Sequence, residues 1–202
     1  MIKKLCFYLT FDVITINIYA QESRTGYLIS NNNTSFPVLG YPQLFYSQFH
    51  PGIDLFHEWK MNKSEKSQLW YSFNIGGFYH RFIQTTIKVF PKIEYKYFLN
   101  DKIDLQIGLG GGYLHSFDNV KIMKLNSDGV YETQSTLKGR PQFMITLDWG
   151  LGYKLKNDFQ LLMLFRTIMQ GSFIKSYVPL VPYNSFAIGL NIPLKSKTKE
   201  NE

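Results

Sequence analysis

At 202 residues the chain is long enough for one domain, and all-β barrels of this size form single units. A formal charge of +7 is compatible with nucleic acid, anionic lipid or acidic glycans, but the lysines are spread along the chain without a basic helix or nucleic-acid motif, which excludes a nucleic-acid partner. No run approaches the roughly 18 to 20 apolar residues of a membrane helix, so a helical membrane protein is excluded too, and the 17% of aromatics, mostly Tyr and Phe, suit strands and membrane-interface belts.

The chain opens Met1-Ile2-Lys3-Lys4, passes through the apolar Leu5-Cys6-Phe7-Tyr8-Leu9 and reaches Tyr19-Ala20-Gln21, the basic, apolar and small-residue order of a secretory signal peptide. Residues 1–20 are expected to be removed by cleavage after Ala20. Asp12 and Asn17 interrupt the apolar segment, and an uncleaved first strand is the competing reading. Cys6 is the only cysteine and would leave with the signal, so the mature chain could enter an oxidising compartment without a thiol.

Beyond Gln21 the chain alternates apolar and polar residues, the period of strands with unlike faces. Residues 24–30 read as a short strand, 31–35 as a polar turn, and 36–51, with three prolines and many aromatics, as an ordered loop. In 52–60, Ile53, Leu55, His57 and Trp59 oppose Asp54, Phe56, Glu58 and Lys60, and the polar 62–67 reverses the chain. In 68–82, Leu69, Tyr71, Phe73, Ile75 and Tyr79 oppose Ser72, Asn74, Gly76 and His80. In 85–98, Ile87, Val89, Ile93, Tyr95 and Tyr97 oppose Lys88, Lys92, Glu94 and Lys96.

A tight turn at Asn100-Asp101-Lys102 leads into 103–117, where Ile103, Leu105, Ile107, Leu109, Tyr113 and Phe117 oppose Asp104, Gln106, Gly108, Gly110, Gly112 and Ser116. A helix is a poor reading of this stretch, since each glycine would cost about 1 kcal/mol against Ala. Residues 118–139 make the largest loop, with a hairpin signal at Asn126-Ser127-Asp128-Gly129. Alternation resumes in 141–155, with Phe143 to Tyr153 facing away from Thr146, Asp148, Gly150 and Gly152. A second tight turn at 156–158 precedes a less regular strand, 159–169, whose one charge is Arg166. Residues 170–182, with Pro179 and Pro182, read as a loop, and 183–194 closes the chain.

The fold expected is all-β: an up-and-down antiparallel β-barrel of about eight strands, outer-membrane type, over residues 21–194, followed by a basic C-terminal tail, 195–202. Turns near Asn62, Asn100 and Asn157 share one rim; the loops 36–51, 118–139 and 170–182 share the other. Alternation alone cannot say which face is inside, but glycines on the polar face make room in a narrow lumen and serve no purpose against bulk water. A lipocalin-like barrel with a solvated polar face is the alternative. In the lumen Glu58, Lys88, Lys92, Glu94, Lys96, Asp148 and Arg166 would form a polar network, with Glu94 and Asp148 partnered by Lys or Arg from facing strands.

With its architecture, and with segments such as His50-Pro51-Gly52-Ile53-Asp54 and Lys175-Ser176-Tyr177-Val178-Pro179-Leu180, the chain resembles the small outer-membrane β-barrel proteins of Gram-negative bacteria. The resemblance implies an outer-membrane location reached through the signal peptide. It implies as partners the lipid bilayer and the barrel-assembly machinery, with lipopolysaccharide a candidate. Many such barrels end on an aromatic residue, whereas this last strand ends Ile192-Pro193-Leu194. Outward aromatics should then form two girdles: Trp59, Tyr71, Tyr95, Tyr97 and Tyr153 at the periplasmic rim, and Tyr79, Tyr113, Phe117 and Phe143 at the opposite one.

Some barrels of this class are lipid A acyl hydrolases or acyltransferases, which makes His115 and Ser116 the catalytic candidates. Adjacent strand residues point to opposite faces, and that geometry argues against the pair. His50, His57, Glu58 and His80 lack metal-ligand spacing, and no phosphate loop, dinucleotide fingerprint or other cofactor motif is present. Two functions stand at this stage: a structural or surface-interaction barrel with a polar, largely plugged lumen, and a lipid A-modifying enzyme at the outer-leaflet rim. A pore is a weaker third, because eight strands enclose an interior about filled by side chains.

Overall fold

The computed structural model of the protein describes residues 22–120, 123–133, 139–174 and 178–194. The expected signal peptide, 1–20, and the basic tail, 195–202, lie outside the described residues. Ten strands follow in chain order: β1 Ser23–Thr34, β2 Pro51–Lys60, β3 Ser67–His80, β4 Gln84–Phe98, β5 Ile103–Asp118, β6 Met123–Leu125, β7 Tyr131–Thr133, β8 Arg140–Lys154, β9 Gln160–Ile174 and β10 Val178–Leu194. Eight of them close into an antiparallel barrel, each paired with its chain neighbours and β1 sealed against β10. The short β6 and β7 form a separate two-stranded hairpin between β5 and β8, around the turn signal at Asn126.

Alternation translates directly into sidedness. In β2 every second residue from Gly52 to Lys60 is buried, while Pro51, Ile53 and Leu55 are exposed and His57 and Trp59 half-buried. The polarity is the reverse of a soluble domain. Among the buried side chains are Glu58, Lys88, Lys92, Glu94, Lys96, Asp148 and Arg166, and among the exposed ones are Ile53, Ile75, Ile87, Ile107, Leu109 and Leu147.

Lumen glycines act as spacers. Gly76 pairs with Asp54 across β2 and β3, and a Cβ there would overlap the Asp54 carboxylate and the Ile53 carbonyl. A Cβ on Gly152 would run into Asp104 and Gln160 in the same way. Replacement of Gly76 by Val is expected to lower stability by about 1 to 3 kcal/mol through overpacking, read as a fall in urea midpoint with an unchanged m-value.

Two tracts differ from the sequence reading. The tract 31–35 was expected to turn, yet β1 runs through Asn31, Asn32, Asn33 and Thr34, because pairing with β10 and bonds from the three Asn amides to Leu44, His50 and Ser47 of the following loop outweigh the weak strand preference of Asn. Residues 170–182 were expected to be a loop, yet β9 continues to Ile174 and β10 begins at Val178. Pro179 and Pro182 fit there because β1 pairs only as far as Tyr183, which leaves the start of β10 as an edge on that side. The loop 36–51 contains a single helical turn, α1, Gln43–Tyr46. One further irregularity accompanies Pro91, which has no N–H to donate: the β4–β5 ladder lapses between Val89↔Tyr113 and Lys92↔Gly110.

Candidate functional site

The densest chemistry lies in the lumen, on strands whose inward positions are two residues apart. Eight acidic and basic side chains form one chain in which the two types alternate. Lys88 meets Asp54 at 2.9 Å, and Arg166 reaches Asp54 at 2.5 Å and grips Asp148 with two hydrogen bonds of 2.7 Å. Asp148 accepts from Lys92 at 3.1 Å, Lys92 bonds Glu94 at 2.9 Å, and Lys96 stands 3.6 Å from Glu94 and 2.8 Å from Glu58. No member is more than 5% exposed, so each charge depends on its neighbours for the solvation water would have supplied.

The seven network residues expected from sequence are thus all brought together, and the structure adds Asp54, which joins β2 to β9 across the lumen. Its signal was available: it shares the inward parity of Glu58 in β2. Asp148 draws partners from β9 and β4, whereas Glu94 finds Lys92 and Lys96 on its own strand, since inward neighbours two apart on one strand lie side by side.

Further polar and apolar groups flank the charged chain at both ends. Toward the rim of short turns, Asn191 donates to Glu58 at 2.6 Å, while Asp104 accepts from the amides of Gln106 at 2.6 Å and Gln160 at 2.5 Å. The fully buried Trp70 lies there, its indole N–H bonded to Gln68 at 2.9 Å, with the Lys96 ammonium and the Arg24 guanidinium 4.7 and 5.2 Å from its ring. Toward the opposite rim, Phe78, Phe90, Leu114, Met144, Ile168 and Tyr183 pack into an apolar layer. Beyond it Gln170 bonds both Gln84 and Gln142, and the His50 and His80 rings stack at 3.7 Å. Burial of His50, which precedes β2, pushes its imidazole below the ordinary range, against a weaker opposing bond with the Asn32 backbone.

Other candidates are dispersed. Ser116 is buried in the lumen, but the His115 ring lies on the outer wall, 2.7 Å from the Tyr113 hydroxyl and against Phe117. The strand therefore separates the two. Of the four residues weighed for metal, His57 packs outside on Trp59 and Glu58 points inward, and only His50 and His80 meet. Among the described residues no group of three His, Cys, Asp or Glu is placed to hold a metal ion.

On the outer wall Trp59 stacks on Tyr71 near the end of β2, Tyr95, Tyr97 and Tyr153 end β4 and β8, and Tyr79, Tyr113, Phe117 and Phe143 lie toward the loop rim. Trp149, on the outward face within β8, packs against Tyr41 and Phe165 and is still 41% exposed.

No protein-family model matches this sequence, and no curated protein matches it. Solved structures do. Neisserial surface protein A has 9% identity and a TM-score of 0.48 over 85% of this chain and 95% of its own. The outer membrane enzyme PagL has 14% identity and a TM-score of 0.47 over 85% and 99%. Ail, the attachment invasion locus protein of Yersinia pestis, has 14% identity and a TM-score of 0.41 over 86% and 97%. At these identities the likeness is one of fold alone.

Proposed function

We propose that the protein is an outer-membrane β-barrel, exported by the segment 1–20, whose plugged polar lumen makes it a structural or surface-interaction protein. The observation that carries this reading is the inverted sidedness: a belt of exposed Leu, Ile and Phe encircles a barrel whose charges are inside. Soluble monomers rarely expose apolar patches beyond a few hundred Å², and strands of 10 to 17 residues meet or exceed the roughly 9 to 11 needed to cross a bilayer at a tilt. The rim carrying the connections 35–50 and 119–139 is read as the outer one. Support for the plugged reading comes from the large side chains Trp70, Arg166, Tyr183, Lys88, Phe90 and Lys96 in the interior, all less than 2% exposed.

The protein is expected to fractionate with outer membranes, to fold only with detergent or lipid, and to migrate anomalously on unheated gels. Refolding in plain buffer would overturn the assignment. The two girdles are tested by depth-dependent quenching with brominated lipids, in single-Trp variants keeping Trp59 or carrying Leu109→Trp. Trp59 should report the interface and the Trp at position 109 the bilayer centre, and equal depth would refute the topology.

A further inference from the structure

The β1–β2 connection is the anomaly of the outer wall. From residue 25 to residue 53 the chain has no Asp, Glu, Lys or Arg, whereas the connection 119–139 carries Lys121, Lys124, Asp128, Glu132 and Lys138. Instead of standing off the rim, the segment folds back along the outside of the barrel. Tyr41 packs against Trp149 and Phe165, and Phe45 packs against Phe165 and Phe186.

Four polar side chains on outward positions hold it there. Asn31 donates to the Leu44 carbonyl at 2.8 Å and accepts from the His50 N–H at 2.8 Å. Asn33 bonds Ser47, the Tyr41 hydroxyl bonds Thr167 at 2.8 Å, and Asn184 donates to the Ser35 hydroxyl and the Phe36 carbonyl at 2.8 Å each. Thr167 and Asn184 are buried although they face outward, because the segment covers them. In hydrocarbon such groups would each cost several kcal/mol if left bare. The segment also bonds much of its own backbone, through Gly40 to Phe36, Gln43 to Gly40, Leu44 to Tyr41, Phe45 to Pro42 and Ser47 to Gln43.

What this strap turns outward is uncharged and mostly apolar: Leu39 is 77% exposed and Tyr46 75%, alongside Phe36, Phe45 and Phe49, with Gln43 and Gln48 as exposed polar side chains. Beside it a groove of about 460 Å³ runs over β1 and β10, lined by Tyr27, Ile29, Phe49, Phe186, Ile188 and Leu190. A water-facing loop has no reason to be free of charge, to expose five large apolar side chains and to shelter polar groups on the wall. An element seated at the boundary of headgroups and acyl chains has reason for all three. Groove and strap are continuous with the exposed apolar belt, so whatever surrounds the belt also reaches them.

We propose that residues 35–49 form a lipid-facing strap at the headgroup–acyl boundary, and that the groove between the strap and β10 holds one acyl chain of a bilayer lipid. This rests on the bilayer reading above. Nitroxide labels placed by Leu39→Cys and Tyr46→Cys, in a Cys6→Ser background and phosphatidylcholine vesicles, test the strap by relative accessibility to oxygen and to a nickel chelate. Leu109→Cys serves as lipid reference and Asp128→Cys as water reference. Labels at 39 and 46 should favour oxygen over nickel as the label at 109 does. Labels at 39 and 46 as nickel-accessible as that at 128, with 109 still in lipid, would overturn the strap and leave the bilayer reading intact; a nickel-accessible 109 would overturn the bilayer reading itself. For the groove, native mass spectrometry from phosphatidylcholine-containing micelles should show one retained lipid, lost several-fold on Ile188→Trp, which fills the groove. Equal retention in both proteins, or none in the native one, would refute the acyl-chain site.

Discussion

Arg166→Met should destabilise the folded barrel by about 3 to 5 kcal/mol, the range for breaking a buried ion pair from one side. Among the described residues Arg166 is the one side chain that bonds both Asp54 and Asp148, so its loss strips three hydrogen bonds from two carboxylates at most 1% exposed. Lys88 still reaches Asp54 and Lys92 still reaches Asp148, which places the effect toward the lower end of the range. Because most of that cost is uncompensated charge, neutralising the partner should recover part of it. Arg166→Met with Asp148→Asn should lose less than the sum of the two single changes. Urea unfolding in detergent micelles, followed by Trp fluorescence, measures all three variants. A fully additive double variant would mean that Arg166 does not stabilise through Asp148, leaving its packing and its bond to Asp54.

The wall of the barrel was legible because its signal is local. A period of two over 10 to 17 residues needs no knowledge of the partner strand, and parity assigned Glu58, Lys88, Lys92, Glu94, Lys96 and Asp148 to one face, while Arg166 joined them as the one charge of a less regular strand. Connectivity inside the lumen was not legible, since it depends on which strands closure sets opposite one another. Asp54 lies on β2 and Arg166 on β9, 112 residues apart, and nothing in either strand announces the other. Asn31 and Asn33 show the same limit from another side. Their type favours turns, and the sequence alone places them in one, but in the barrel they are outward strand residues held by bonds to residues 44, 47 and 50. Tertiary hydrogen bonds decided the backbone there, as the strap decided the surroundings of Trp149.

A charge on the outer wall separates a membrane barrel from a soluble one most sharply. Leu109 lies in β5, on the exposed face between Ile107 and Gly111, and is 62% exposed. On a soluble protein Leu109→Arg would remove an apolar side chain from water and change stability by less than about 0.5 kcal/mol. At the middle of a bilayer the same change costs about 2 to 4 kcal/mol, falling to about 0 to 1 near either interface. Tyr153, next to the end of β8, is the matched position, because it lies on the same face near the rim of short turns. Refolding into phosphatidylcholine vesicles from urea should therefore show a stability loss for Leu109→Arg at least 1 kcal/mol larger than for Tyr153→Arg. The comparison is internal: both variants add the same cation to the same face, so any general effect of charge on unfolding cancels. Equal small losses at both positions would remove the bilayer from the account of this fold.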